Sequence, residues 1–398
     1  MSQVQRQASS QVSRSRLPLS GLLALAAAGF TTVMLETMPA GILPAISKDL
    51  GVSESAAGQT VTVFAVGSIV GAVPLVSATM GWPRRRLLLL ALVGYVLTSV
   101  VTGLSDNLTL TLAVRFVTGV FGGTLWALLA GFARRMGAPG QQGRALTIVM
   151  AGTPVAFAVG TPAGTLLAEL LGWRYTFAVM ALLSAGVTIW IRAAVPDFPG
   201  QAKSQRTPLR RAFVIPGVAA ICAVTLLFVM AHSALFTYIT LFLDQGGLAD
   251  NISAVLLLFG VMSMASIWVT GMFIDGHLRS LMLGSTALLA LAVLSVGLLT
   301  SVSVIELISI ALWGIAFGGA PSLLQSAVST AAGPASDTVQ PVVVTGWNIG
   351  IAGGGLVGGV LLDSAGASAL TWGALALLVI AFVITAVGRH HAFPPHRA

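Results

Sequence analysis

Twelve apolar stretches follow one another along a chain of 398 residues, and they restrict the fold more than any other feature. About 20 apolar residues cross a hydrocarbon core roughly 30 Å thick. Only 8% of the residues are charged, whereas soluble domains contain about 25%. We therefore expect an all-α membrane protein with twelve transmembrane helices. The expected spans, numbered 1 to 12, are 19–46, 56–79, 86–104, 108–133, 145–170, 175–195, 213–243, 252–274, 280–300, 304–329, 338–362 and 368–388.

Basic residues lie mainly on one side of the expected membrane. Of the 20 lysines and arginines, all but Lys48, Arg115 and Arg174 belong to the termini or to the loops on the same side. Cytoplasmic loops carry such an excess. We therefore expect a multi-pass protein of the cell's inner or plasma membrane with both termini in the cytoplasm. The net positive charge is then a sign of topology and not of nucleic-acid binding.

A polar stretch from Arg192 to Arg211 separates six expected spans from six others. Two such bundles, related by an axis along the membrane normal, can hold a substrate between them near mid-membrane. The expected parts are a cytoplasmic tail at 1–18, a first six-helix bundle at 19–195, a cytoplasmic linker at 196–212, a second six-helix bundle at 213–388 and a cytoplasmic tail at 389–398.

Enzyme chemistry has little support in the sequence. The single cysteine, Cys222, provides neither a disulfide framework nor a cysteine-based metal site. A phosphate-binding Gly-x-x-x-x-Gly-Lys loop and a His-Glu-x-x-His zinc motif are both missing from the sequence. We expect no enzyme activity, no cofactor and no metal, and any transport must be passive or driven by an ion gradient.

Glu36 is the one acidic residue well inside an expected span. An ionisable group there costs roughly 2.5 to 3.5 kcal/mol on insertion scales, so it usually marks an ion, proton or substrate pathway. Burial opposes the charged form of a carboxyl, and Pro39 and Pro44 leave the carbonyls of Leu35 and Ala40 without helical donors. These features favour a deformable, protonatable site. The alternatives are a carboxylate that reaches the outer headgroups and a structural salt bridge.

Arg115 in span 4 is the second candidate for a buried charge. A guanidinium group stays protonated, so it can orient water or a carboxylate but cannot carry a proton. The alternative is that it extends outward to the membrane surface. Its expected depth differs from that of Glu36, which argues against direct pairing. Glu169 and Glu306 lie near outer ends of spans and are expected to be interface residues.

Several aromatic and polar residues inside spans are candidates for substrate binding. Amphipathic side chains of this kind suit a cavity for small organic molecules, although structural hydrogen bonds and aromatic packing are the alternative roles. The candidates are Trp126 in span 4, His232, Phe236, Thr237 and Tyr238 in span 7, and Trp347 and Asn348 in span 11.

The sequence resembles the major facilitator superfamily, in particular its twelve-span drug:proton antiporters, over nearly its whole length. Leu112–Gly119 is similar to the span-4 motif in which the position of Arg115 is associated with proton coupling, and span 5 is similar to a motif associated with antiporters. Gly271–Arg279 is similar to the second copy of a gating loop, whereas Met80 replaces the acidic residue of the first copy. The gating residues implied are Pro39, Arg84, Arg85, Gly160, Pro162, Gly164, Asp275 and Arg279.

Three segments are similar to bacterial sugar, purine ribonucleoside and chloramphenicol efflux transporters: Glu36–Gly41, Gly51–Gln59 and Phe236–Ile239. The resemblance implies the major facilitator fold and export of a small, drug-like compound in exchange for protons by alternating access. Efflux of a sugar or purine nucleoside is the alternative, since these subgroups share the segments. A channel or a membrane sensor is the alternative from another class. The expected partners are protons, a small-molecule substrate and the lipid bilayer, with the chain as a monomer.

Overall fold

The computed structural model describes residues 17–393, except 80, 139–140, 201–214, 246, 249–250, 299–302 and 333–335. All regular elements of this part of the chain are helical. The α-helices of the first half are Leu19–Gly41, Leu43–Leu50, Glu54–Val70, Val76–Ala78, Arg84–Leu104, Leu108–Met136, Gln142–Met150, Gly152–Val155, Thr161–Leu171 and Trp173–Ala194. Those of the second half are Val218–Thr237, Ile239–Gln245, Ile252–Leu298, Ser303–Gly318, Ala320–Ala332, Ser336–Ala365 and Ala367–Val387.

In the described part of the chain, 11 helical stretches are long and apolar enough to cross a membrane. The remaining expected span, span 2, consists of the helix Glu54–Val70, a π-helical segment Gly71–Leu75 and a last helical turn, Val76–Ala78. The all-helical membrane architecture predicted from the sequence is therefore confirmed, and a π-helical segment interrupts span 2 in its second half.

Three helix boundaries differ from the predicted ones. The helix of span 1 ends at Gly41, because Ile42 has a non-helical backbone between the donor-lacking Pro39 and Pro44. Spans 8 and 9 are joined, with a kink at His277. Span 7 begins at Val218, directly after Gly217, whose φ of 89° favours glycine. The predicted start of span 7 at residue 213 lies outside the described residues.

Polar caps explain where two of the helices begin. Ser53 has an extended backbone, and its hydroxyl accepts a hydrogen bond of 3.2 Å from the N–H of Ala56. The side chain of Asn107 accepts one of 2.8 Å from the N–H of Leu110. Each bond satisfies a backbone donor that has no partner within the helix. These caps fix the starts of spans 2 and 4 and therefore the depth of the residues that they carry.

The same helix contact occurs in both halves at a constant offset of 195 positions (263 minus 68, 314 minus 119). The hydroxyl of Ser68 in span 2 donates to the carbonyl of Gly119 in span 4 at 3.2 Å. The hydroxyl of Ser263 in span 8 donates to the carbonyl of Gly314 in span 10 at 3.1 Å. Small residues let helices approach this closely in a membrane. Spans 2 and 4 are therefore the structural counterpart of spans 8 and 10.

In each half, an arginine also donates a hydrogen bond to the carbonyl of a phenylalanine that follows the last span. The N–H of Arg84 donates to the carbonyl of Phe198 at 2.9 Å, just after span 6. At the same offset (279 minus 84, 393 minus 198), the Arg279 guanidinium donates to the carbonyl of Phe393 at 3.3 Å, just after span 12. We call the side of the molecule that holds Phe198 and Phe393 the linker side, and the other the opposite side.

Hydrogen bonds that connect the halves lie toward the opposite side. Gln59 of span 2 donates from Nε2 to the carbonyl of Gly355 in span 11 at 3.4 Å. Ser253 of span 8 donates to the carboxylate of Glu169 at the end of span 5 at 3.4 Å. These bonds secure two contacts between the halves. One joins span 2 to span 11, and the other joins span 5 to span 8.

Gly119→Ala is expected to lower stability markedly, because a Cβ there would collide with the backbone carbonyl of Phe64. Overpacking of this kind typically costs about 1 to 3 kcal/mol. The matched control is Gly131→Ala on the same helix, since a Cβ at Gly131 meets no atom within 4 Å. Thermal unfolding in detergent measures both. Equal unfolding temperatures for the two variants would contradict the close contact between spans 2 and 4.

Candidate functional site

Arg115 lies at the centre of a polar site in the first half. Its side chain is only 1% exposed, so it does not extend to the membrane surface as the alternative supposed. Its Nη1 donates to the carbonyl of Leu35 in span 1 at 2.6 Å, and its Nε donates to the carbonyl of Thr60 in span 2 at 3.2 Å. The guanidinium also lies 4.7 Å from the centre of the Phe64 ring. Arg115 therefore joins spans 1, 2 and 4.

The acceptor on span 1 is available because of a proline. In a helix the carbonyl of Leu35 would accept from the N–H of residue 39, and Pro39 has none. The freed carbonyl instead accepts from Arg115. The sequence predicted this free carbonyl but not its partner. It also placed Arg115 at a different depth from Glu36, which is wrong, because Arg115 binds the residue directly before Glu36.

Glu36 is half-buried and close enough to Arg115 for the two charges to interact. Within the described part of the chain, no ion pair within 4.0 Å joins the two side chains. The Nη2 of Arg115 is buried and has no hydrogen-bond partner among the described residues. A carboxyl group and an unpaired guanidinium nitrogen therefore lie near each other without direct contact, an arrangement that a change in the carboxyl's charge can alter.

Two residues that the sequence analysis missed complete this site. The hydroxyl of Tyr95 in span 3 is fully buried and donates to the hydroxyl of Thr32 in span 1 at 3.0 Å. Thr32 and Glu36 are four residues apart and so share one face of the helix. A lone tyrosine in an apolar span was the available signal, but the sequence could not show that span 3 packs Tyr95 beside Glu36.

Span 5 contacts the site through a π-helical segment, Ala156–Gly160. Pro162 lacks a backbone donor and so interrupts the regular helical ladder at this point. Thr161 follows the segment, and its hydroxyl lies 2.9 Å from that of Thr37, the neighbour of Glu36. π-Helical turns are frequent at functional sites. The polar site of the first half is therefore bordered by an irregular stretch of span 5.

An aromatic cluster occupies the second half and includes three of the predicted substrate residues, His232, Phe236 and Trp347. His232 is buried, stacks on Phe317 with ring centres 3.5 Å apart and lies 5.2 Å from the Phe236 ring. Its Nδ1 accepts a hydrogen bond of 2.9 Å from the indole N–H of Trp313. Trp347 lies 5.8 Å from Phe317 at the edge of the cluster. Trp313 and Phe317, both in span 10, were missed from the sequence.

Span 5 also contacts this cluster. The ring of Phe157, in the π-helical segment, lies 6.3 Å from that of Phe259 and 6.0 Å from that of Phe317. The backbone of the same segment fits closely against Gly260 of span 8. One irregular segment of the first half thus borders both the polar site and the aromatic cluster of the second half.

The other predicted substrate residues lie apart from the cluster or are engaged elsewhere. The buried hydroxyl of Tyr238 donates to the carbonyl of Gly355 at 3.1 Å and lies 3.4 Å from that of Ser55, at a contact between the halves. Thr237 is buried, and Trp126 is half-buried. The amide of Asn348 donates to Val344 on its own helix at 3.0 Å.

The predicted gating residues take two kinds of position. Gly160 and Gly164 let span 5 pack against Met34 and Met38 of span 1, because a side chain at either glycine would meet those methionines. Pro162 lies between the two glycines and is buried. These residues place span 5 directly against the span that carries Glu36.

The basic residues predicted to act in gating, Arg84, Arg85 and Arg279, lie on the linker side. Arg85 donates from Nη1 to the carbonyl of Val195 at 3.1 Å and from its N–H to the carboxylate of Asp197 at 3.0 Å. Arg279 donates to the carbonyls of Thr385 and Ala386 at the end of span 12. Arg84 and Arg85 thus hold the segment after span 6, as Arg279 holds the end of span 12. The side chain of Asp275 and residue Met80 lie outside the described residues.

Glu306, predicted as an interface residue, lies in the first turn of span 10 and is buried within the protein. It is only 2% exposed, because the spans on either side cover the first turn of span 10. Neither carboxyl oxygen has a hydrogen-bond partner among the described residues. Sequence position near a span end did not reveal this burial.

Comparison with known proteins agrees with the fold. The Major Facilitator Superfamily model matches residues 25–339. A chloramphenicol efflux pump of Mycobacterium tuberculosis is 31% identical and covers 93% of this chain and 92% of its own length. A purine ribonucleoside efflux pump of Escherichia coli K12 is 25% identical and covers 89% of this chain and 90% of its own. The solved structure of the nucleoside transporter NupG has a TM-score of 0.76 at 12% identity and covers 93% of this chain and 98% of its own.

Fold and site define a polytopic membrane protein built from two halves with matching helix contacts, one holding a buried polar site and the other a buried aromatic cluster. The chain belongs to the Major Facilitator Superfamily. It is a transporter of small compounds and not an enzyme, as the sequence analysis expected.

Proposed function

We propose that this transporter exports a small organic compound in exchange for protons by alternating access, with both termini in the cytoplasm of a cell whose inner or plasma membrane it spans. The observation that carries the proposal is the position of span 5. Its irregular segment borders Thr37, beside the proton-coupling candidate Glu36, and the aromatic cluster around His232. A proton bound at Glu36 and a substrate bound at the aromatic cluster can therefore influence each other through span 5.

Proton exchange is proposed to act through Glu36 and Arg115. With a neutral Glu36, the guanidinium remains on the carbonyls of Leu35 and Thr60. An ionised Glu36 attracts the unpaired Nη2 of Arg115, which pulls on spans 1, 2 and 4. Proton and substrate can drive transport only if they favour different conformations. The charge of Glu36 supplies such a difference.

The aromatic cluster favours a substrate with a flat ring. Stacked and edge-on aromatic contacts prefer ring centres about 4.5 to 7 Å apart, a geometry that a planar ligand can join. The Nδ1 of His232 already accepts from Trp313, so few polar groups remain for sugar hydroxyls. We therefore place a planar, drug-like compound first and a purine nucleoside second. The relatives' names, chloramphenicol and purine ribonucleoside efflux pumps, agree with both.

Everted membrane vesicles test the proposal. An internal acidic gradient is followed by a pH-sensitive dye while chloramphenicol, a purine ribonucleoside or a sugar is added, with vesicles that lack the protein as the control. The expected result is partial collapse of the gradient on addition of chloramphenicol or the nucleoside. A gradient unchanged by all three compounds would contradict the proposal.

His232→Phe is expected to raise the substrate KM roughly tenfold, which corresponds to about 1.4 kcal/mol. The variant keeps an aromatic ring but removes the acceptor of the Trp313 N–H, leaving a buried donor unpaired. Ser20→Ala is the control, because it removes the acceptor of the exposed Trp190 indole. Initial transport rates at several substrate concentrations measure both. A KM equal in His232→Phe and wild type would remove His232 from the substrate site.

A further inference from the structure

Glu306 has no place in the exchange described so far, although it is the most isolated carboxyl in the described part of the second half. It lies in the first turn of the helix Ser303–Gly318, toward the opposite side. At 2% exposure it is shielded from solvent. Both carboxyl oxygens are buried without a hydrogen-bond partner among the described residues.

The described residues around Glu306 offer no compensating charge. It lines a small cavity with apolar residues of span 7, span 9 and its own helix, namely Leu235, Ile239, Ala292, Val293, Val296, Ile310 and Trp313. Among the described side chains on these helices, the other ionisable groups are Cys222, His232 and Tyr238 on span 7 and His277 and Arg279 at the linker-side end of span 9. None of them lines the cavity.

The cavity is too small for an organic ligand. Its free volume is about 10 Å³, which is at the lower limit for one water molecule. A bare carboxylate in such a place has room for at most one water molecule and faces no counter-charge among the described residues, a state that costs several kcal/mol. The ligand that fits is therefore a proton on the carboxyl itself.

We propose that Glu306 is a second protonation site, located in the second half, that holds a proton in this conformation and exchanges it when the cavity opens. Trp313 connects this site to the aromatic cluster, since it borders the same cavity and donates to His232. Movement of Trp313 on substrate binding would admit water to Glu306. The exchange during transport rests on the proposed proton coupling, whereas the protonation itself does not.

Infrared spectroscopy of the purified full-length protein in detergent tests this assignment without a transport assay. The carbonyl stretch of a protonated carboxylic acid is recorded from acid to neutral pH in wild type, Glu36→Gln, Glu306→Gln and Glu169→Gln. Glu169 is exposed and serves as the matched control. We expect Glu306→Gln to lose a protonated-acid band that persists in the control well above the range in which exposed carboxyls ionise. An undiminished band in a folded Glu306→Gln protein would overturn the assignment.

The Glu36→Gln protein decides the matter even if Glu306→Gln does not fold. With Glu36 removed, a protonated-acid band must remain, and its absence would refute a neutral Glu306. Loss of transport in Glu36→Gln with the band retained would support both sites. Retained proton-coupled transport in Glu36→Gln would refute the proposed role of Glu36 but leave Glu306 standing, so the two proposals fail separately.

Discussion

Glu36→Gln is expected to abolish substrate-driven proton movement while leaving the protein folded. Gln has nearly the same shape as a protonated Glu, so the packing of span 1 is kept, but it cannot release a proton or draw Arg115 from its carbonyl partners. Coupling between two ligands is typically worth about 1 to 3 kcal/mol, a factor of roughly 5 to 150. The number of protons moved per substrate molecule should therefore fall at least about fivefold.

The measurement is dye-reported proton movement in vesicles, alongside downhill substrate flux in the same preparation. Asp363→Asn is the control, because it changes an exposed carboxyl near the end of span 11. Full proton movement in Glu36→Gln at wild-type protein levels would remove Glu36 from the proton pathway. Downhill substrate flux that persists without proton movement would show that only the coupling was lost.

Arg115→Ala is expected to destabilise the first half more than a change at any exposed arginine. It removes the donors to the carbonyls of Leu35 and Thr60, both in the buried part of the bundle. A hydrogen bond to a charged group contributes about 1.5 to 3 kcal/mol, so we expect a loss of about 2 to 4 kcal/mol. The apparent unfolding temperature in detergent should fall by about 5 to 10 °C.

Two further variants serve as comparisons for the unfolding temperature of Arg115→Ala. Arg115→Lys keeps the charge but lacks the fork of a guanidinium, so it should regain only part of the stability. Arg86→Ala removes an exposed arginine at the start of span 3 and should leave the unfolding temperature within a degree or two of wild type. If Arg115→Ala unfolds at the wild-type temperature, Arg115 does not join the three spans.

The sequence predicted the helices well because each span carries its own signal. Twenty apolar residues require a helix in lipid, since every backbone group must find a partner within the span. The ends were less accurate where prolines or glycines act locally, as at Ile42 between Pro39 and Pro44. The sequence could have predicted the helix starts at Ser53 and Asn107, because serine and asparagine are favoured at the N-terminal cap of a helix.

The site was only partly predictable, because it depends on which helices become neighbours. Glu36 and Arg115 were found from their unusual charge, but their common depth was missed. Tyr95 and Trp313 looked like ordinary aromatic residues until the structure gave them Thr32 and His232 as partners. Glu306 was predicted near the end of a span, and only the packing of spans 7 and 9 over it shows that it is buried within the protein.

Pro39 and Arg115 are expected to vary together among relatives, because Pro39 leaves the carbonyl of Leu35 free and Arg115 donates to it. Replacing Pro39 by Ala would give span 1 a backbone N–H that competes with the guanidinium for the carbonyl of Leu35. The two substitutions should therefore be non-additive: once the helix supplies its own donor, losing the arginine costs less. Relatives that lack the proline should tolerate other residues at the position of Arg115, so the two sites are expected to vary together although 76 positions (115 minus 39) separate them.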